Sequence, residues 1–312
     1  MTELRQPSTR RTRKSRIRTI RLGARHPRRL AAAAGLAAAA ITATAVAVVM
    51  TAGTAPPGPG AGPAGTPRTA AQLLVKIADA AASQPAADVK DSDFTYIRSM
   101  DAYAGYVNGR LTPLPKLGEW QVWLPVADLC VTGLSIHDGE RIPISPFPMV
   151  NGKIVRHPPK GSPQPNFTCP SEGHVGDATY RLLQSIPTQQ DALLAYLKAG
   201  KRWTNDDPPT EIGDMIRAAI VPPRLAAALY RLAATLPGAT LVPHATNATG
   251  QPGIGIMWTG KSAKQVYQNE WIFDRTTLQF IGEKTYDPQT GKLTGESAIL
   301  QRAFTAKAGQ LP

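Results

Sequence analysis

The apolar positions change period twice along the chain. Between residues 72 and 82, Leu73, Leu74, Ile77, Ala78 and Ala81 share one helical face, which predicts an opening helix. Two strands are expected next, at 94–100, where FTYIRSM alternates in side-chain size, and at 119–126, rich in Trp and Val. A helical block follows. Thr188 is expected to cap a helix carrying Leu193, Leu194, Tyr196 and Leu197, stopped by Gly200. Thr210 is expected to cap a second, with Ile212, Met215, Ile216, Ala219 and Ile220 on one stripe. Pro222-Pro223 opens a third, with Leu225, Leu229, Leu232 and Leu236 inward, before Pro237-Gly238 ends it. From residue 240 the period falls to two, and strands are expected at 240–243, 254–259, 266–274, 278–286 and 293–304.

A 13-residue repeat supports a meander there: FDRTTLQFIGEK from Phe273 aligns with YDPQTGKLTGES from Tyr286. Each copy has an aromatic, Asp, a Thr-containing turn and a strand ending Gly-Glu, which is hairpin chemistry, and the repeat reads as structural. The expected fold class is α+β: an antiparallel sheet with a C-terminal β-meander, packed with a helical block, over residues 70–306, with a tail at 307–312.

Upstream the pattern is different. Residues 30–52 are 23 positions without a charge, behind a 29-residue leader with 11 Lys and Arg against the single acid Glu3. At ~1.5 Å per residue the run would make a helix of about 35 Å, enough to cross a hydrocarbon core of ~30 Å. Basic flanks stay inside, so the expected topology is a single-pass cell-membrane protein with a cytoplasmic leader (1–29), a transmembrane helix (30–52) and an extracytoplasmic C-terminal part. Cleavage is the competing reading. The run is longer than a secretory h-region of ~7–15 residues, and the nearest small-x-small site, Gly53-Thr54-Ala55, is followed by Pro56. Arg10-Arg11 and Arg28-Arg29 lack the context of a twin-arginine signal. Residues 53–69 are rich in Pro and Gly and read as an extended stalk.

The formal charge of +13 suggests nucleic acid until it is divided. The leader holds +10 of it, leaving 24 basic and 21 acidic residues beyond. The basicity therefore serves topology, with Arg10, Arg11, Arg13, Lys14, Arg16, Arg18 and Arg21 against anionic lipid headgroups. A leader without an aromatic residue offers nothing to stack on bases, so no nucleic-acid partner is expected. The only cysteines, Cys130 and Cys169, fall on the expected outside. A disulfide between them would stabilise by up to ~4 kcal/mol on the chain-entropy model. A zinc site and two separate buried thiols are the alternatives.

One motif matches in full. Gly255-Ile-Met-Trp-Thr-Gly260-Lys261-Ser262 satisfies G-x-x-x-x-G-K-[ST], but Ile256, Met257 and Trp258 favour a strand and the following VYQNEWIF alternates like another. Strand, turn, strand is the simpler reading, and no nucleotide is expected. His26, His137, His157, His174 and His244 are too dispersed for a metal site, and no cofactor is expected. Cys169 and His174 form a thiol dyad only if Cys130 leaves the sulfur free. Asp206, Asp207 and Glu211 precede a helix, where acids complement the macrodipole. Neither G-x-S-x-G nor S-x-x-K occurs, so no catalytic residue is assigned. Tyr96, Trp120, Trp123, Trp258, Tyr267, Trp271 and Phe273 lie on expected strands, either as core or as the lining of a hydrophobic-ligand groove.

The order of parts from about 68 to 300 resembles an uncharacterised actinobacterial family of single-pass membrane proteins with an extracytoplasmic domain. The likeness is carried by YIRS at 96–99, WQVWLP at 120–125, TYRLLQSIPTQQDALLAYL at 179–197, VPPRLAAALYRLAATLPGATLV at 221–242 and the FD…TG repeat. Members are often encoded beside extracytoplasmic-function sigma factors, so the resemblance implies a signalling association and no catalytic residues. The parts also look like the half-barrel of periplasmic lipoprotein carriers and of an envelope-stress sensor. The leader lacks the helices and His-Cys zinc signature needed to grip a sigma factor. The expected function is a membrane-anchored binding or sensor domain without catalysis, with a lipid or protein ligand outside. A lipid or lipoprotein carrier is the alternative, and an extracytoplasmic enzyme of unknown reaction is third.

Overall fold

The computed structural model describes residues 68–107, 110–128, 130–145, 149–150, 153–154, 178–199, 208–261 and 266–312. The leader, the 30–52 run, the stalk as far as residue 67 and Cys169 lie outside them. Among the described residues no helix is long and apolar enough to cross a membrane.

The fold is α+β, built on one antiparallel sheet. Its N-terminal strands are β1 (Phe94–Tyr103), β4 (Gly118–Pro125), β5 (Gly133–His137) and β6 (Glu140–Ile144). Its C-terminal strands are β9 (Thr240–Thr246), β10 (Pro252–Lys261), β11 (Val266–Phe273), β12 (Phe280–Tyr286) and β13 (Leu293–Thr305). The order is β6-β5-β4-β1-β13-β12-β11-β10-β9, so the first and last strands of the chain meet in the middle. Two short hairpins, β2 (Tyr106–Val107) with β3 (Arg110–Leu111) and β7 (Met149–Val150) with β8 (Lys153–Ile154), stand apart from it.

The helices are α1 (Ala70–Ala82), α2 (Tyr180–Ser185), α3 (Gln190–Ala199), α4 (Pro208–Ala218) and α5 (Pro223–Thr235). Thr69 caps α1, its side chain accepting from the Gln72 N–H. Two expected caps shift. Thr210 lies inside α4, because Pro208 and Pro209 fill the first-turn positions that need no N–H. Helix α3 starts at Gln190, with the Gln189 carbonyl accepting from Leu193 N at 2.7 Å, so Thr188 precedes the cap. Strands β5 and β6 run from 133 to 144, between the two cysteines, a stretch to which no strand was assigned. Strand β5 pairs with β4, and β6 pairs with β5 across the two-residue turn Asp138-Gly139, both of whose residues are left-handed (φ 47° and 89°).

The main core lies between the helices and one face of the sheet. Leu73, Leu74 and Ile77 of α1, Ile212, Met215 and Ile216 of α4, and Leu225, Leu229 and Leu232 of α5 pack with Ile254, Ile256, Trp258, Trp271, Phe273 and Phe280. A smaller core of Phe94, Tyr96, Trp123 and Leu134 lies on the opposite face. The C-terminal tail closes it: Ala308 packs there and the Gln310 carbonyl accepts from Trp123 Nε1 at 2.7 Å.

The 13-residue repeat is repeated in three dimensions. Asp274 Oδ1 accepts from the N–H groups of Thr276 and Thr277, and Asp287 Oδ1 accepts from those of Gln289 and Thr290. Each turn then passes through one left-handed residue, Leu278 (φ 56°) in the first and Gly291 (φ 66°) in the second.

Candidate functional site

A cavity of about 550 Å³ opens beside α4, between the ends of β1, β11 and β12, the β2–β3 hairpin and the Asp287 turn. It is within the usual size range of small-molecule sites. Its chemistry is set by Glu283, which reaches it through a local irregularity. Pairing places Trp271 opposite Glu283 and Phe273 opposite Phe280, although Phe280 and Glu283 are three residues apart. The shift falls at Ile281-Gly282, a bulge that reverses the alternation and turns Glu283 onto the helix-covered face. Only glycine fits: Gly282 has φ 153°, and a Cβ there would lie 2.2 Å from the Ser297 carbonyl oxygen.

Helix α4 supplies the partner. A Cβ on Gly213 would lie 2.6 Å from Trp271 Nε1, so glycine lets the helix sit directly on that indole. One helical turn on, Arg217 lies over the strand position beside Trp271, its Nε 3.1 Å from Glu283 Oε1. Asp214 meets the same guanidinium at 3.4 Å. Tyr103 donates its hydroxyl to Glu283 Oε1 at 2.6 Å, and its ring lies 5.8 Å from the Arg217 guanidinium carbon. Gly295 makes room for that ring, since a Cβ would lie 2.4 Å from it. Asp101, next along the same face of β1, accepts from Ser99 Oγ at 2.9 Å.

Several acceptors here have no hydrogen-bond partner. They are Glu283 Oε2, Asn269 Oδ1 and Asp101 Oδ1. Glu283 and Asn269, which both line the cavity, are 3% and 6% exposed. Arg217 Nε, despite its distance, lacks hydrogen-bond alignment to Glu283. Burial, helped by the Asp214 charge, pushes the Glu283 carboxyl up from its ordinary range against the pull of Arg217, the Tyr103 hydroxyl and the Asn269 side-chain amide. Burial also raises Asp101, against its Ser99 hydrogen bond, and Asp214, against Arg217. For Arg217, burial acts downward, but Glu283, Tyr103, Asp214 and Asp101 together hold the guanidinium above its usual value. Three carboxyls thus surround one permanently charged cation.

The residues singled out in the sequence go elsewhere. Trp258, Trp271 and Phe273 are buried in the main core, and Tyr96 and Trp123 in the opposite one, so these five do not line one groove. Trp120 stacks on His137 with centroids 3.9 Å apart. Tyr267 lies on β11, its side chain outside the described residues. Cys130 is disulfide-bonded, and Cys169 is the only other cysteine in the chain. His137 lies 3.5 Å from Asp138, and the His244 ring 3.5 Å from Arg275. His26, His157, His174, Asp206 and Asp207 lie outside the described residues, and Glu211 is buried in the first turn of α4. Residues 255–261 of the phosphate-loop match form strand β10, whose backbone pairs with β11, and Ser262 lies outside the described residues. Among the described residues no group of three or more His, Cys, Asp or Glu is placed to hold a metal ion.

None of Asp101, Tyr103, Asp214, Arg217, Asn269 and Glu283 was singled out by sequence. One signal was available: the repeat carries Gly-Glu inside apolar strands, and a lone glycine within a strand marks a bulge or a close approach. Gly282 is the bulge and Gly295 the close approach. Comparison of the chain with protein-family models, with curated proteins and with solved structures finds no match.

Proposed function

We propose that this chain is a single-pass membrane protein whose α+β domain is an extracytoplasmic binding or sensor module, accessory to envelope or sigma-factor signalling and without catalysis of its own. The anchor rests on the basic leader, the uncharged 30–52 run and the Pro/Gly stalk. The binding role rests on one observation: the cavity beside α4 is lined by Glu283 and Asn269, each of which has a buried side-chain oxygen, Oε2 and Oδ1, that the protein leaves unpartnered. Such groups are costly to bury, and a ligand with donors would satisfy them. The carrier alternative needs an open apolar groove. Most of the aromatic residues that would line one are instead covered by packed side chains.

Protease added to intact spheroplasts should remove everything beyond about residue 53 and spare the leader. Hydrogen exchange on the full-length protein in a neutral detergent, with and without an extract of its native envelope, tests binding. Extract-dependent protection of β1, β12 and α4 is expected. Exchange unchanged by any extract fraction would overturn the binding reading.

A further inference from the structure

The polar floor of the cavity has an excess of acceptors and of negative charge. Asp214, Glu283 and Asp287 line it with Arg217 as the charged counterpart, and Arg217 is already engaged by Glu283 and Asp214. Asp101 stands behind Glu283 with one oxygen unpartnered. An anion entering would face Asp214, Glu283 and Asp287 against the single cation Arg217. A ligand rich in N–H donors would complete Glu283 Oε2 and Asn269 Oδ1 and offset the charge. The rim is of another kind. Tyr106 is 57% exposed and Val266 is 43% exposed, and with Leu111 they flank the opening on the β2–β3 hairpin and β11.

We propose that the cavity binds an organic cation, a primary ammonium or guanidinium on an apolar stem, with the charged head at Glu283, Asp214 and Asn269 and the stem against Tyr106, Leu111 and Val266. This rests on the binding-module reading and names its ligand class. A head of either kind carries more than one N–H donor for these oxygens, and a short alkyl stem covers apolar surface of the rim. The cation can be a free amine or the side chain of Lys or Arg in a polypeptide. Both present the same group.

The test uses full-length protein in a neutral detergent, titrated with n-butylguanidinium, n-butylammonium, pentan-1-ol and butanoate, and read by calorimetry and by hydrogen exchange at β12 and α4. The two cations should bind, with affinity falling as salt rises, while the alcohol and the carboxylate bind at least tenfold more weakly. Asp214→Asn, at a half-exposed position that should fold normally, should weaken the cations at least fivefold. Glu283→Gln should weaken them further if it folds. N-acetyl-arginine-methylamide separates the sources: tighter binding than butylguanidinium indicates a polypeptide side chain, weaker binding a free amine. Equal binding of the alcohol, or cation binding unchanged in Asp214→Asn, overturns the proposal. If envelope extract still protects β12 and α4 while no cation does, the cation is wrong and the binding module stands. If neither protects them, both fall.

Discussion

Trp271 and Glu283 are neighbours across one rung of the β11–β12 ladder, on the same face and under the same helix, yet they belong to opposite kinds of environment. Around Trp271 the helices bring Ile212, Met215 and Leu229 against the sheet and exclude water. Around Glu283 the same helix brings Asp214 and Arg217 and leaves a cavity. The difference is a change of side chain along one helix stripe, from Gly213 to Arg217, against a continuous sheet. It shows how a binding site is made at the margin of a core: the core holds the backbone rigidly, and the site inherits that precision. Arg302 marks the boundary from the apolar side. Its guanidinium donates to the carbonyls of Ile216 and Phe280 and is drawn down by burial to about 10.

Breaking the apolar side should have the largest effect. Trp271→Ala removes a fully buried indole and should destabilise by roughly 3–5 kcal/mol, visible as a lower midpoint in denaturant unfolding. A loss under about 1 kcal/mol would mean that Trp271 is not the support on which α4 rests. Gly282→Ala attacks the junction between the two environments. It places a Cβ against the Ser297 carbonyl at a φ that L residues rarely adopt, and should cost about 2–4 kcal/mol. Its cavity should be lost at temperatures where the fold survives, so exchange at β12 should rise before exchange at α1.

On the polar side, Arg217→Met should cost about 1–2 kcal/mol at neutral pH, less than the ~3–5 of a fully buried broken pair because Arg217 is partly exposed. The pH dependence has a defined sign. Burial raises Glu283, so its protonated form favours the fold: that contribution is complete below the ordinary carboxylate pKa and is lost as pH rises through the raised value. Removing Arg217 raises Glu283 further, so the deficit of Arg217→Met should vanish in acid and grow as pH climbs through that window. Glu119, paired with Arg98 nearer the surface, is shifted the other way. The Arg98 hydrogen bond holds Glu119 below its ordinary range, so its contribution is present above the ordinary carboxylate pKa and fades as pH falls through the lowered value. Both deficits should therefore grow with pH but in separate windows in thermal melts: that of Arg98→Met at and below the ordinary carboxylate pKa, that of Arg217→Met above it. Deficits rising in the same pH window would refute the assignment. The smallest effect is expected at Lys261, at the end of β10: Lys261→Ala should change stability by no more than ~0.5 kcal/mol, and calorimetry with Mg-ATP should show no heat in either protein.

Much of the fold could be read locally. The stripe Leu73, Leu74, Ile77 appears in α1 as expected, and the Pro222-Pro223 signal opens α5 where it was placed. The repeat's two turns hold the same hydrogen bonds, because Asp and Thr contact backbone only two or three residues away. The β5–β6 hairpin carried a local signal that was overlooked, Asp138-Gly139 between His137 and Glu140, and only the pairing of β5 with β4 depends on the tertiary structure. The cavity was illegible for a stronger reason. Its groups come from β1, α4, β11 and β12, and no spacing along the chain relates Asp101 to Asp214 or Glu283.

By itself the sequence determined what depends on near neighbours: helix and strand periods, turn chemistry, and the division between a charge-segregated N-terminal segment and an α+β region of ordinary composition. Only the tertiary structure decided that β1 and β13 pair to join the two groups of strands, and that the candidate aromatics are core. It also decided where the unpartnered carboxylate lies. Pairing of distant strands is set by the summed fit of many side chains across the sheet, and one bulge at Gly282 then reverses which face a residue occupies. Neither quantity is a property of any local window, so the apolar pattern of residues 280–286 alone cannot tell that Glu283 points under a helix toward Arg217.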